Sequence, residues 1–254
     1  MTFDAKKWAE FVTALTKIDA AATKQMADYI NKSKWTWDKG TDDLIRFAYT
    51  VSRVYGEAAA AVACEVYDAV AFASGVNVPA AEPADVATFA EVAKTINGTA
   101  KTRNPEIMSS SIGRLVKRTG ADTTLKNAVR DGAQYAWIPH GDTCAFCLAL
   151  ASRGWQGASQ KILKNGHAEH IHGNCDCMYG VRFNESTNYA GYDPDRYLAM
   201  YKGAEGGTPE QKINSMRRQF YAQNKERINE QKRSAYTLRM EREASAAEEK
   251  NIGN

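Results

Sequence analysis

Residues 142–182 read DTCAFCLALASRGWQGASQKILKNGHAEHIHGNCDCMYGVR and contain four of the five cysteines and three of the four histidines of the chain. Cys144 and Cys147 form a C-x-x-C pair. The second cluster, H-x-x-C-x-C, consists of His172, Cys175 and Cys177. Two such clusters separated by a loop-rich insert are typical of a tetrahedral zinc site, because a C-x-x-C turn brings two thiolates to one point and the second cluster completes the ligand set. We therefore predict that these residues bind a structural Zn²⁺ ion.

The two clusters offer more ligands than zinc needs. Cys144 and Cys147 are the firmest pair, and His172 with either Cys175 or Cys177 is the preferred second pair. The last two cysteines are spaced i, i+2, so in an extended segment both could face the metal. Ligation by four cysteines, with the histidine outside the ligand set, is the alternative. A shell of four protein ligands leaves no open position for water, so the expected role of the metal is structural rather than hydrolytic.

Other interpretations of the cysteines have less support. A thioredoxin-like redox pair belongs to a βαβ pattern, which the C-x-x-C segment lacks. Disulfides would fit a secreted chain, but the N-terminus lacks the basic start and apolar block of a signal peptide. His170 is a weaker ligand candidate, and His140 and His167 are expected in loops.

Composition indicates an ordinary soluble globular protein. The chain has 254 residues, of which 44% are apolar and 25% charged, enough for one large core or two smaller ones. A net charge of +3 does not by itself imply nucleic-acid binding. No apolar run approaches the roughly 20 residues that a membrane span needs. We expect a reducing cytosol, in which thiolate ligands persist, and a buried core thiol at Cys64.

Apolar residues recur at spacings of three and four through most of the chain, which indicates helices. The first is predicted from Asp4 to Asn31, and the second from a cap at Thr41 to Gly75. Shorter helices are expected over residues 84–96, from 105 to just before 120, from 122 or 123 to 135, over 148–152, and from 194. A last helix is predicted from a capping box at Thr208 and Gln211 to about residue 247.

The second predicted helix has two notable features. Its middle, residues 58–64, consists almost wholly of small side chains, which allow another helix to pack closely against it. Its predicted apolar stripe consists of Leu44, Phe47, Val51, Val54, Ala58, Val62, Val66 and Val70.

The predicted fold class is mainly α with a small α+β zinc-binding core and elongated helical arms. Short strands are expected at 137–139 and 178–183, before the first ligand pair and after the second. Together with the helix at 148–152 they would form the zinc-binding core. The predicted segments are an N-terminal helical arm (1–78), a helical connector (79–120), the zinc-binding α+β core (121–190) and a C-terminal basic helical arm (191–254).

Three runs of sequence resemble minor head proteins of tailed phages, the family similar to protein F of phage Mu. The runs are AQYAWIP at 133–139, TCAFCLALASRG at 143–154 and HGNCDC at 172–177. The resemblance is strongest from about Ala121 to Phe183. Some members of this family carry a C-terminal effector domain, but only about seventy residues follow Phe183 here, few for such a domain.

The resemblance implies a structural minor capsid protein with a role in head morphogenesis and in DNA packaging or ejection. Its expected partners are the portal protein, the major capsid protein or both, with several copies in one assembly and no membrane. The expected location is the virion head near the portal, after synthesis in the host cytoplasm.

The last predicted helix is basic. Residues 212–242 contain nine Lys or Arg and three Glu, so nine minus three gives a charge of +6. A basic surface of this kind would bind DNA phosphates in a salt-sensitive, sequence-independent way. A solvated helix face, or docking on another head protein, explains the same pattern, and we expect protein attachment first and DNA contact second. The candidate DNA-binding residues are Lys212, Arg217, Arg218, Lys225, Arg227, Lys232 and Arg233.

The alternative function is a metal-dependent nuclease of the His-Cys type. Glu169, His170 and His172 could supply a general base and a metal ligand, and the basic helix would hold the nucleic acid. Few residues remain for catalysis if His172 binds zinc, and the motifs of phosphate-binding loops, nucleophile elbows and zinc proteases are missing from the sequence. A base deaminase has H-x-E before P-C-x-x-C, and the order here is reversed. We therefore expect no enzymatic activity; a cytosolic adaptor is a third interpretation.

Overall fold

The computed structural model describes residues 2–32, 40–140, 143–164, 171 and 177–252, without the side chains of 2, 227, 228, 231, 232, 235, 236, 238, 239 and 241–252. The helices are α1 (Ala5–Lys32), α2 (Asp42–Ala73), α3 (Phe89–Ala100), α4 (Pro105–Arg130), α5 (Ala145–Ala151), α6 (Gln160–Lys164), α7 (Pro194–Gly203) and α8 (Pro209–Ile252). The strands are β1 (Thr2–Phe3), β2 (Gln134–Ile138), β3 (Gln156–Gly157), β4 (Met178–Arg182) and β5 (Asn188–Tyr189). The prediction of a mainly helical fold with a small sheet is confirmed. In the described ranges, no helix has the length and apolarity needed to cross a membrane.

The chain forms two compact units, Met1–Leu198 and Ala199–Asn254. In the first unit, α1, α2 and α4 pack against one another around a single apolar core that continues into the sheet. Helix α1 matches the predicted helix to within a residue at each end, and its stripe of Trp8, Phe11, Leu15 and Met26 is buried as expected.

Helix α2 has the predicted bounds, but its predicted stripe is wrong in the middle. Val54 is 50% exposed. The buried line instead consists of Gly56, Ala59, Ala60, Ala63 and Tyr67. This face is buried because its small side chains leave room for neighbouring segments: a Cβ on Gly56 would lie 3.0 Å from Val86 Cγ1 and 3.3 Å from Thr119 Oγ1 of α4.

The prediction that the hydroxyl of Thr41 caps α2 is also wrong. Thr41 occupies the N-cap position, but its side chain makes no capping hydrogen bond. The hydroxyl donates to Asn97 Oδ1 of α3 at 2.6 Å. A contact with a neighbouring helix has replaced the local cap.

Helix α4 is one continuous helix, whereas the sequence predicted two helices separated at Gly120. The residues expected to cap the second helix do not act as caps: the hydroxyl of Thr123 donates to the carbonyl of Thr119 at 2.8 Å, inside the helix. Gly120 lies where the backbone approaches α2, with Ala59 O 3.5 Å from the position of a Cβ. The glycine therefore serves helix packing and does not end the helix.

Residues 76–88 are held against α2 and α4 by side chains that bond to the backbone. Asn127 binds both backbone groups of Glu82, accepting from N at 2.9 Å and donating to O at 2.8 Å. The hydroxyl of Thr123 accepts from Ala84 N at 3.1 Å. Arg130 donates to the carbonyls of Pro79 and Ala80 at 2.8 and 3.0 Å. These bonds satisfy backbone groups that a helix would otherwise use, so the segment stays non-helical.

This non-helical segment shifts the start of α3. The predicted helix was 84–96, ended by Asn97-Gly98; the observed helix begins after Thr88 and continues through both residues to Ala100. Its start is set by a capping box, in which Thr88 and Glu91 each accept from the other's backbone N–H, at 3.3 and 2.8 Å.

The three-stranded sheet has β2 in the centre, antiparallel to both β3 and β4. Both strands flanking the cysteine motif were predicted, although β2 begins three residues earlier than expected. Gly180 of β4 is required by close packing, because a Cβ there would lie 2.7 Å from Ile138 Cγ1 and 3.0 Å from the ring of Tyr189. A second, parallel pair of strands was not predicted: β1 pairs with β5 through Thr2 and Phe3.

We expect the substitution Asn127→Ala to lower the free energy of unfolding by about 1–3 kcal/mol, because Asn127 is 1% exposed and its loss leaves both polar groups of Glu82 without their partner. Urea denaturation of the full chain measures this change.

The matched control is Lys126→Ala, one residue away on α4. Lys126 bonds to the same segment, but its ion pair with Glu82 is solvent-exposed, so its removal should cost less than about 1 kcal/mol. Equal losses in the two variants would show that the buried amide does not hold residues 76–88.

Candidate metal centre

The first ligand pair lies at the start of α5. Cys144 is the residue before the helix, with extended backbone angles (φ −73°, ψ 156°), and Cys147 is its third residue. The N–H of Leu148 donates to the carbonyl of Cys144 at 3.1 Å and closes the first turn. Side chains three apart on a helical turn are neighbours. The C-x-x-C motif is therefore folded as a compact turn, with Cys147 1% exposed and Cys144 half-buried.

The sheet brings Cys177 to this turn. Cys177 directly precedes β4, and the first residue of β4, Met178, pairs with Ile138, the last residue of β2. The chain leaving β2 continues into Thr143 and Cys144. As a result the Sγ of Cys177 lies 4.0 Å from Thr143 Oγ1, although the two residues are 34 positions apart. Cys177 is 4% exposed.

Cys147 and Cys177 line one small cavity, which we call the cysteine cavity. Its volume is about 20 Å³, close to the space that one water molecule needs. Its walls come from α1, α4, α5, β2 and β4. The lining residues are Phe11, Leu15, Lys117, Gly120, Ala121, Thr124, Trp137, Cys147, Ile171, Cys177, Met178 and Tyr179.

Ile171 shows that the second cluster begins beside the same cavity. It is 3% exposed and lines the cysteine cavity, as does Cys177. The two predicted ligands between them, His172 and Cys175, lie outside the described residues. The residues on either side of 172–176, Ile171 and Cys177, thus both line the cavity.

The described cysteines alone do not make a complete metal site. Within the described ranges, no three His, Cys, Asp or Glu side chains form a group that could hold a metal ion. Tetrahedral zinc needs four ligands. Thiol sulfur is a ligand type that zinc prefers, but the described Cys144, Cys147 and Cys177 do not by themselves form such a group. The predicted site therefore depends on His172 and Cys175, which lie outside the described residues.

The surroundings of the thiols are largely apolar and aromatic. Tyr179 packs on Trp137 with ring centroids 4.3 Å apart. Burial raises the pKa of Tyr179 well above its ordinary value, so the phenol stays neutral at physiological pH. Cys147 and Cys177 thus lie in a mostly apolar environment, while Cys144 is only half-buried.

The remaining histidines contribute little to the described site. His140 lies in the loop after β2, as expected, and its carbonyl accepts from the hydroxyl of Thr143 at 3.3 Å. His167, His170 and Glu169 lie outside the described residues. The residues proposed for nuclease chemistry therefore have no described geometry.

The basic residues of the second unit fall into three groups. Arg217, Arg218, Lys225 and Arg233 are exposed on α8. Lys212 is half-buried: its ammonium donates to the carbonyls of Lys202 and Ala204 at 3.2 and 3.3 Å and lies 5.5 Å from the ring centre of Tyr201. The side chains of Arg227 and Lys232 lie outside the description. Lys212 is thus already engaged in holding the end of α7.

Three residues near the thiols were not identified from the sequence: Lys117, Thr143 and Ile171. A helical lysine is normally exposed, so nothing in the sequence indicates that Lys117 is buried. One signal was available. Lys117 is four residues after Gly113 and three before Gly120, so it lies on the face of α4 where these glycines permit close helix packing.

The sequence model of the VG15 protein family matches residues 2–204, a range that includes every element of the first unit and all of the cysteines of residues 142–182. No curated protein and no solved structure matches the chain. Because the match covers well over half of the sequence, the chain belongs to the VG15 protein family of phage-encoded proteins.

Proposed function

We propose that this phage protein is a structural minor capsid protein that acts in head morphogenesis near the portal. Its family membership supports a phage protein, and the motifs of residues 133–177 resemble those of minor head proteins similar to protein F of phage Mu. It is proposed to be non-enzymatic, to be present in several copies, and to contact the portal protein, the major capsid protein or both.

The observation that carries this proposal is the arrangement around the cysteine cavity. Cys147 of α5, Cys177 just before β4 and Ile171, the residue before His172, line one small cavity. Helices α1 and α4 supply other parts of its wall, through Phe11 and Lys117 among others. A metal held by the cysteines would link the start of α5 to the chain that enters β4, next to the long helices, which is the property expected of a rigid structural joint.

The proposed metal is a structural zinc ion. Cys144, Cys147 and Cys177 would hold it together with His172 or Cys175, and bound zinc would supply cross-linking rather than catalysis because four protein ligands leave no site for water. Two local features support this proposal: β2–β4 pairing brings Cys177 next to Thr143, and Cys144 and Cys147 lie on the first turn of α5.

A second proposed contact is with packaged DNA, through the exposed basic side chains of α8. Arg218 and Lys225 are seven residues apart and therefore lie on the same face of the helix. Both are exposed, and no acidic residue occurs between Lys212 and Lys225. This contact rests on charge and exposure alone, since α8 lies beyond the range that the family model matches.

The zinc content of purified protein tests the metal centre. We expect about one zinc ion per chain, with its loss and a lower melting temperature in Cys147→Ser and in Cys177→Ser. Metal analysis and thermal melting measure both. Cys64→Ser is the control, because Cys64 lies on α2 away from the cysteine cavity and should leave the zinc content unchanged. Stoichiometric zinc and unchanged melting in both site variants would disprove the ligand set.

Association with phage heads tests the structural role. We expect the full chain to co-sediment with purified heads or with portal assemblies, and the zinc-depleted chain to do so less, because the joint loses its cross-link. Quantitative protein analysis of gradient fractions measures this. Absence of the protein from heads and portals alike would favour the cytosolic adaptor over the capsid protein.

DNA retention tests the basic surface. We expect binding to duplex DNA at low salt that weakens as salt rises. In Arg218→Gln/Lys225→Gln, the slope of log binding constant against log salt concentration should fall by about two, about one for each lost phosphate contact. The control is Lys6→Gln/Lys17→Gln, which removes the same charge from exposed positions of α1. Equal slopes in the two double variants would show that these side chains of α8 do not contact the DNA.

The same mixtures distinguish the structural protein from the nuclease. With Mg²⁺ or Mn²⁺ present, plasmid DNA should stay intact. Cleavage that His170→Ala abolishes would establish the nuclease instead.

A further inference from the structure

A second cleft lies between α3 and α4, and we call it the α3–α4 cleft. Its volume is about 410 Å³, within the range of about 300–1,000 Å³ that is usual for ligand pockets. One wall contains Glu91, Lys94 and Gly98 of α3, and the other contains Arg114 and Arg118 of α4. These residues are spaced by three or four positions, so one face of each helix forms the cleft.

The walls of the α3–α4 cleft carry three cationic side chains. Lys94 and Arg114 are exposed. The side chain of Arg118 is only 19% exposed and is held by two carboxylates: its Nη2 lies 3.0 Å from Glu91 Oε1, and its Nε lies 3.5 Å from Asp122 Oδ2. The charge of Arg118 is thus offset within the protein, and Lys94 and Arg114 add two further positive charges to the cleft.

Two hydroxyl groups that line the cleft already donate to the backbone of their own helices. Thr99 donates to the carbonyl of Thr95 at 2.8 Å, and Ser111 donates to the carbonyl of Met108 at 2.7 Å. Because a hydroxyl has one hydrogen to donate, the main donors that the cleft offers to a ligand are its ammonium and guanidinium groups. A ligand of this cleft is therefore expected to be an anion.

Gly98 leaves space in the cleft that another residue would fill. It lies inside α3, where glycine stabilises a helix less than any other residue except proline. A Cβ at this position would meet no atom within 4 Å, so helix packing does not require the glycine. A longer side chain at position 98 would extend from the wall of the cleft and reduce the room for a ligand.

The chain around the cleft is basic over a longer range. Residues 92–121 contain six Lys or Arg and one acidic residue, Glu106, so six minus one gives a charge of +5. Lys101 and Arg103, in the turn between α3 and α4, are exposed. An extended polyanion could contact this turn as well as the cleft, whereas a small anion would contact the cleft alone.

We propose that the α3–α4 cleft binds phosphate groups and that these belong to the backbone of DNA. Guanidinium groups match phosphate oxygens through parallel N–H donors, and the charges of Lys94 and Arg114 equal those of two adjacent phosphodiesters. Contacts of this kind do not depend on base sequence. The site is separate from the basic residues of α8 and does not depend on the metal centre.

Binding of the full chain to a short fluorescent DNA duplex, measured by anisotropy over a range of salt concentrations, tests the cleft. In Lys94→Gln/Arg114→Gln, the slope of log binding constant against log salt concentration should fall by about two, because two phosphate contacts are lost. The control Lys6→Gln/Lys17→Gln removes the same charge from exposed positions of α1 and should keep the wild-type slope. The proposal is wrong if the two double variants have the same slope.

Gly98 allows a second test that leaves every cation in place. Gly98→Glu should bind DNA about tenfold or more weakly than Gly98→Gln, because the two side chains are similar in size and only the carboxylate repels phosphate. Both variants should melt at or above the temperature of wild type, since each replaces a helical glycine without a clash. Equal DNA affinities of the two variants would contradict the proposal.

Two further measurements identify the source of the anion. Titration calorimetry with dATP and with inorganic phosphate shows whether the cleft takes a small phosphate: if Gly98→Glu loses that binding but keeps wild-type affinity for DNA, the assignment to DNA is incorrect. Co-sedimentation with phage heads tests an acidic protein surface in the same way. Variants of the cleft that lose heads but retain DNA would exclude the DNA backbone, whereas a reduced salt slope in these variants and an unchanged slope in Arg218→Gln/Lys225→Gln would assign the DNA contact to the cleft and not to α8.

Discussion

The antiparallel pairing of β2 with β4 is the constraint on which the rest of the site depends. Register places Met178 opposite Ile138, so the residue before β4 and the residues after β2 meet at the same end of the sheet. A shift of one residue would turn every side chain of β4 to the opposite face. Gly180 of β4 allows this close packing, because Ile138 and the ring of Tyr189 occupy the space that a side chain at position 180 would need. The position of Cys177 beside Thr143 follows from this register.

A second constraint acts on the backbone between α2 and α3. Residues 76–88 adopt no regular structure, yet their polar groups are satisfied by side chains of α2 and α4: Asp68, Thr123, Asn127 and Arg130. Three of these donors and acceptors recur at spacings of three or four on α4, so one face of that helix holds the segment along its length. Backbone groups that cannot pair with each other must find such partners when they are buried.

Close packing of the helices forms part of the wall of the cysteine cavity. Small residues at Gly56, Gly113 and Gly120 bring α1 and α2 near to α4. Phe11 and Leu15 of α1 and Gly120 of α4 line the cavity together with Cys147 and Cys177. Tyr179, on the same wall, remains a neutral phenol because burial raises its pKa.

Elements with local signals could be predicted from the amino-acid sequence. Apolar periodicity predicted α1, α2 and α8. The Thr208–Gln211 capping box marked the start of α8, and its reciprocal bonds measure 3.3 and 3.2 Å. The cysteine spacing predicted the turn at Cys144, and the residue pattern at 137–139 and 178–183 predicted the strands β2 and β4. Five features could not be predicted in this way: the continuity of α4 through Gly120, the buried face of α2, the late start of α3, the β1–β5 pair and the burial of Lys117. Each of these depends on contacts between residues far apart in the chain, where packing and side chain–backbone bonds override the local preference of a glycine, a cap or a lysine.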